Sequence, residues 1–275
     1  MQRGRARRLR RHRAARVLPA AAHRQRAAGD TPGPVEDAAD PADDAPAAGA
    51  VSAALSVRAL RYRWPRAAAD TLAVEAWDVG SGETVFLHGP SGGGKSTLLG
   101  LLAGVLVARA GRVEVLGQDW AALPAGRRDA FRADHVGYVF QQFNLLPYLS
   151  VLDNVLLPCR FSALRRARAG AGAAEALLAR IGLPPAAWPR PAAELSVGQQ
   201  QRVAAARALI GAPELVICDE PTSALDAPLR DAFLDLLLDA VHEAGSTLVF
   251  VSHDQGLAGR FDRRVALAEL NGAAR

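Results

Sequence analysis

Residues 89–96 read GPSGGGKS, and Lys95 is the only lysine of the chain; every other basic residue is arginine. A guanidinium is a broad planar fork, whereas an ammonium is a compact point charge on a flexible stem. A single lysine at this position therefore points to a site too tight for the fork. The octapeptide fits the spacing G-x-x-x-x-G-K-[ST], and it lies between an apolar run, TVFLH, and a helical stretch, STLLGLLAGVL. That strand–loop–helix context is what makes the pattern credible as a phosphate cradle. Gly89, Pro90, Ser91, Gly92, Gly93 and Gly94 form the turn, whose N–H groups can face inward as an anion nest. The following helix adds the positive end of its dipole. Lys95 would reach the β- and γ-phosphates of ATP, the hydroxyl of Ser96 would take Mg2+, and Thr97 completes the cradle.

A phosphate site of this kind needs an acid at the end of a buried strand. The run LVICDE ends in Asp219 and Glu220. Asp219 would hold the Mg2+ shell through water, and Glu220 stands one residue further on, where it could polarise an attacking water as general base. Two adjacent acids could instead be a solvated strand end, a reading that the lysine loop disfavours. Cys218 reads as a small apolar strand residue.

The elements that must position these groups are short apolar runs alternating with helical patterns: ETVFLHG (83–89), HVGYVFQ (135–141), ELVICDE (214–220), STLVFVSH (246–253) and RRVALAEL (263–270). Continuous apolar strands separated by helices predict an α/β fold with a parallel sheet covered on both faces. The opening LSVRALRYRW alternates instead, as a half-exposed strand does. Residues 52–275 thus form one domain, large enough to bury roughly 70% of its unfolded surface.

Residues 1–51 have a different texture. Ten of the 33 basic residues and six of the 28 acidic ones lie in the first 50, so most of the net charge of +5 is there. The arginine-dense residues 1–29 lack the apolar core of a secretory signal, and residues 30–50 are Asp, Pro, Ala and Gly. An unstructured extension, a start assigned too early, a targeting peptide and an arm for an anionic surface all fit. The remainder is near neutral, so nucleic acid is not an expected partner. Cys159 and Cys218 show no metal-ligand spacing and suggest a reducing compartment. The longest apolar runs, such as LLGLLAGVLVA, are about half of the ~20 residues that cross a bilayer.

At LSVGQQQRVAAARAL (195–209) the chain resembles the ATP-binding cassette of ABC transporters, over about residues 53–272 and with the motifs in the family order. The resemblance implies a P-loop NTPase core, an antiparallel β subdomain and an α-helical signature subdomain at about 142–205. LSVGQ matches the signature loop, which lies at a helix N-terminus and caps the γ-phosphate held by the opposite subunit. Ser196 offers a hydroxyl and an N-cap, Gly198 allows close backbone approach, and Gln199 ends the motif. The usual third residue is glycine and here it is Val197; a β-branched residue disfavours φ > 0, which puts a left-handed backbone there in doubt. In YVFQQFNLLPYLS the resemblance makes Gln141 the sensor of Mg2+ and of the attacking water. It turns the following loop, with Phe143, Leu145, Leu146 and Leu149, toward a transmembrane partner as an exposed apolar patch. The resemblance also implies that Asp226 of SALD belongs to the loop crossing the dimer interface and that His253 of VSHD contacts the γ-phosphate. Tyr62 and Trp64 are both available to stack on adenine; Trp64 is preferred because it precedes Pro65 at the strand exit.

The compact cassette, FQQFNLLP and DEPTSALD are similar to the branch containing lipoprotein-releasing and macrolide-exporting systems. The implied activity is ATP hydrolysis that powers transport or membrane extraction through a separate integral-membrane permease. The implied assembly is a pair of cassettes, homodimeric or heterodimeric, bound peripherally at the cytoplasmic face of the inner membrane. The alternative is a soluble ABC ATPase acting on nucleic acid or ribosomes, with the arginine-rich tail as its contact.

Overall fold

Strand β1 (Ala53–Tyr62) buries Leu55, Val57 and Leu60; its alternation holds from Leu55 to Val57 and is broken at Ala59 (φ +45), where the register with the neighbouring strand shifts. The structure, a computed structural model, describes residues 53–223 and 225–274; the expectations for residues 1–51 lie outside them. β1 pairs antiparallel with β2 (Leu72–Gly80) and with β4 (Ala110–Val115). With the short β5 (Gln118–Asp119), these strands form one sheet in the order β2-β1-β4-β5.

The five apolar runs supply the second sheet, whose neighbours are all parallel. β3 (Thr84–His88), β6 (Val136–Val139), β7 (Leu215–Asp219), β8 (Thr247–Val251) and β9 (Arg263–Ala266) lie in the order β6-β7-β8-β3-β9. Strand side chains point to opposite faces in turn, and both faces are buried here. Val85, Leu87, Ile217 and Val249 pack on α1 (Lys95–Leu102) and the antiparallel sheet. Phe86, Val216, Cys218 and Phe250 pack on α6 (Val197–Leu209) and α7 (Ala227–Ala244). The run 263–270 is not one strand. After Ala266 the chain turns into the short α8 (Leu267–Leu270), and Asn271 accepts from Ala73 N and donates to Thr71 O, fastening this end to the antiparallel sheet.

Between β6 and β7 the chain forms α3 (Val151–Phe161), α4 (Ala163–Ala169), α5 (Ala173–Arg180) and α6, with α2 (Ala125–His135) just before β6. A third apolar cluster joins α3, α5 and α6 through Val151, Val155, Leu178, Val203 and Ala206. Helix α6 thus faces two cores. Its alanines keep it close to the sheet: a Cβ added at Gly137 of β6 would lie 2.4 Å from the Ala208 carbonyl oxygen. Nothing lies within 4 Å of a Cβ added at Gly126 of α2.

These two glycines should respond with opposite signs. Gly137→Ala forces backbone apart and is expected to cost about 1–3 kcal/mol or more. Gly126→Ala adds helix propensity and should stabilise by up to about 1 kcal/mol. Urea unfolding midpoints of the two variants check this.

Candidate functional site

The turn from β3 into α1 is the Gly89–Gly94 segment, and its conformation demands glycine most clearly at its end. Gly94 has φ +100, and a Cβ there would lie 2.9 Å from Leu72 Cδ2. Gly94 is also the N-cap of α1, with no side-chain cap. The first N–H groups of the helix therefore lack a protein partner of that kind and can take an anion.

Lys95 is almost buried. Its ammonium donates to Gly89 O at 3.0 Å and Pro90 O at 3.2 Å, and lies 3.5 Å from Glu220 Oε1. Ser96 hydrogen-bonds the Asp219 carboxyl. Burial pushes that carboxyl above its ordinary value and the adjacent Glu220 charge adds to the effect, while Ser96 and Lys95 oppose it. A cation beside Asp219 would favour its charged form.

Glu220 has φ +45, a conformation that costs a non-glycine residue about 1–3 kcal/mol. Its N–H donates to Val251 O at 3.0 Å, so β8 holds the strained turn that follows β7. The other carboxylate oxygen, Oε2, lies 3.3 Å from His253 Nδ1. His253 itself is 67% exposed on its side chain, so its ring can reach a ligand.

A cleft of about 410 Å3 has Trp64, Thr71, Lys95, Ser96, Gln141 and Glu220 among its walls; His253 stands outside its lining, in reach of it through Glu220. Trp64 is 44% exposed and donates from Nε1 to Thr97 Oγ1 at 3.2 Å, which fixes its ring beside the start of α1. Tyr62 packs on the core beneath and meets Trp64 edge-on at 5.4 Å. Of the two aromatics, only Trp64 borders the cleft.

Ser196, Gly198, Gln199 and Asp226 do not line this cleft. Ser196 caps α6 and Gln199 returns the bond to the Ser196 N–H, a reciprocal capping box. Val197 is the first residue of α6 and is absent from the positive-φ residues, so its β-branch meets no conformational obstacle. A Cβ at Gly198 would make only ordinary contact, 3.7 Å from Leu225 Cδ2, so packing within this chain does not require glycine there. Asp226 caps α7 by accepting from Leu229 N.

The expected exposed patch after Gln141 is corrected. Phe143 has φ +59 and Asn144 φ +49, which turns the Phe143 ring into the core beneath α6. Leu145 bridges two clusters, Leu146 and Leu149 are half-buried, and of the large apolar side chains of the segment Tyr148 is exposed. Spacing alone marked neither Thr71, a wall of the cleft, nor Arg207, which donates to the carbonyls of Phe143 and Asn144.

A parallel sheet with a glycine-rich turn into a helix, a buried lysine and a strand-end acid pair defines a P-loop nucleoside triphosphatase. Residues 74–223 match the family model described as ABC transporter. The chain is 45% identical over 186 residues to the uncharacterized ABC transporter ATP-binding protein YbbA of Escherichia coli K12, covering 68% of this chain and 81% of that one. It is 42% identical over 194 residues to the lipoprotein-releasing system ATP-binding protein LolD 2 of Rhodospirillum rubrum, covering 70% and 84%. Against the macrolide export ATP-binding/permease protein MacB of Rhodopseudomonas palustris it is 38% identical over 78% of its own length and 32% of that longer chain. A dimeric post-hydrolysis structure of the ATP-binding cassette MJ0796, bound to ADP and Pi, superposes with a TM-score of 0.69 at 32% identity, covering 77% of this chain and 93% of that one. The chain belongs to the ABC transporter family, as an ATP-hydrolysing subunit that works with a separate membrane component. Among the described residues, no helix is long and apolar enough to cross a membrane.

Lys95→Arg keeps the charge and enlarges the head group in an enclosed position. Steady-state hydrolysis should fall on the order of 100-fold, the scale for losing one placed charge-stabilising donor. Near-wild-type turnover would show that the space around Lys95 accepts the fork.

Proposed function

We propose that this chain binds Mg-ATP at the cleft beneath Trp64 and hydrolyses it in a head-to-tail pair of cassettes, driving a permease of the lipoprotein-releasing or macrolide-exporting kind. The observation that carries this reading is Glu220, held by a strained turn between Lys95 and His253. Phosphate entering the nest would draw the Lys95 ammonium from Glu220, freeing that carboxylate to accept a proton from water. His253 and Gln141 would contact the γ-phosphate and order the water. Adenine would stack on Trp64.

Mg2+ fits the oxygen donors of Ser96, Asp219 and Gln141, because a hard cation takes a few protein oxygens together with phosphates and water; bound there, it would neutralise charge on the β- and γ-phosphates. Ser196 and Gly198 would serve the nucleotide of the second cassette. The unforced glycine at 198 supports this, since a ligand from outside the chain explains it where internal packing does not. The reported dimer of a similar cassette supports pairing. Work with a permease would hold the protein at the cytoplasmic face of the inner membrane. The relatives above are transporter proteins, and nothing in them favours a soluble ATPase acting on nucleic acid or ribosomes.

The permease would dock in a groove of about 470 Å3 whose walls include Val105, Phe140, Leu157 and Phe161. Phe161 and Val105 are 75% and 62% exposed, and an apolar patch of this kind marks a partner surface. Phe140, a wall of this groove, directly precedes Gln141, a wall of the nucleotide cleft. The transported substrate would be recognised by the permease.

Glu220→Gln keeps the side chain's shape and removes the base. It should abolish hydrolysis, retain ATP binding and accumulate an ATP-dependent dimer in sedimentation; continued hydrolysis, or a monomer with and without ATP, overturns the reading. Phe161→Ser should leave hydrolysis by the isolated protein within about twofold, as surface changes outside a core usually do. The same change should reduce recruitment to permease-containing membranes. Unchanged recruitment would move docking elsewhere.

A further inference from the structure

Two nearly buried arginines, Arg165 and Arg207, have no carboxylate partner among the described residues; both donate to backbone carbonyls. A buried charge without an acid is costly unless its donors are well placed. Arg165 holds α4 to the end of α6, through Ile210 O and Ala208 O. Arg207 does something more local. From α6 it reaches Asn144 O at 2.7 Å and Phe143 O at 2.5 Å, one Nη atom to each.

Phe143 and Asn144 are the one pair of consecutive non-glycine residues with positive φ among the described residues. Such a pair persists only where its surroundings over-determine it. Two features of α6 do so. Its small face, Ala204, Ala205 and Ala208, belongs to the cluster that buries the Phe143 ring, and Arg207 ties down both carbonyls. The turn is also closed on itself, by Phe143 N to Phe140 O at 2.9 Å and Asn144 N to Gln142 O at 2.6 Å. Gln141 lies inside that turn. Its N-terminal side leaves β6, and its C-terminal side is gripped by α6.

We infer that Arg207 is a positioning residue for Gln141: it fixes the 140–144 turn to α6, so that the amide of Gln141 follows the helix whose N-terminus carries Ser196 and Gly198. This rests on the role proposed above for Gln141. It gives the attacking-water site a rigid link to the helix that meets the second nucleotide, through one guanidinium and one ring. The link is absent if the turn is held by β6 alone.

Arg207→Lys keeps the charge and loses the fork. It is to be compared with Gln141→Ala and with the double variant, in the full-length protein with Mg-ATP. Arg207→Lys should lower kcat roughly tenfold or more, the scale on which a displaced catalytic group loses rate. The Kd for a fluorescent ATP analogue should stay within about twofold. The double variant should be no slower than Gln141→Ala, because residues acting through one another are not additive. A multiplicative loss, an unchanged kcat, or loss of ATP binding in step with the melting temperature overturns the inference. A Gln141→Ala variant that hydrolyses ATP normally overturns the role of Gln141 itself, a distinguishable failure. If Arg207→Lys does not fold, exposed Asn144 decides. Asn144→Val resists positive φ and should lower kcat with affinity kept, whereas Asn144→Gly should behave as wild type; equal rates for the two overturn the inference.

Discussion

An anion nest needs several main-chain N–H groups converging on a space with no side chain in it, and that requirement shapes the centre of this domain. The loop can converge only if β3 delivers it in one direction and α1 receives it at once. β3 is accordingly fixed on both edges, by β8 and β9. The antiparallel sheet closes over the same turn, with Leu72 against Gly94, and Leu267 closes over Gly89. The break of the last apolar run into β9 and α8 follows from this closure, because Asn271 must reach Thr71 and Ala73.

Lys95 is the charge at the centre of the glycine turn. It is held by two loop carbonyls and Glu220. A buried ammonium needs hydrogen-bond partners and an opposite charge to offset its desolvation. The same contact occupies Glu220, the proposed base. On the reading proposed above, nucleotide entry and release of Glu220 would be one event, because one cation serves both.

Helix α6 plays the corresponding part on the other side of the sheet. Small side chains let it lie against β6, where even a Cβ on Gly137 would not fit. It shares one core with the sheet and another with α3 and α5. Its capping box leaves Val197 and Gly198 outermost, and packing among the described residues does not require the glycine at 198. A helix fastened to two cores can transmit displacement from its exposed end to the loops it grips, since packed interiors shift as units and do not deform continuously.

The local chemistry was legible from residue order alone. The lone lysine in its glycine turn, the acids ending LVICDE and the serine of LSVGQ each depend on neighbours in sequence, and each sits on the type of element its context predicts. Five apolar runs marked the parallel strands, because continuous burial on both faces leaves a continuous apolar record. Side-chain direction in irregular segments was not legible. Phe143 looks like a loop residue free to face a partner, yet a left-handed backbone turns it into the core. Val197 looked like an obstacle until its helical position removed the demand for glycine. Arg207 is one arginine among many in the sequence, and only its separation from acids and its reach across to the Gln141 turn distinguish it. Sequence determined which groups can bind phosphate and move a proton, since those are properties of residue type and short spacing. Tertiary structure decided which loops are held, which faces are open and which charges lack a partner, because those depend on chain segments far apart in sequence meeting in space.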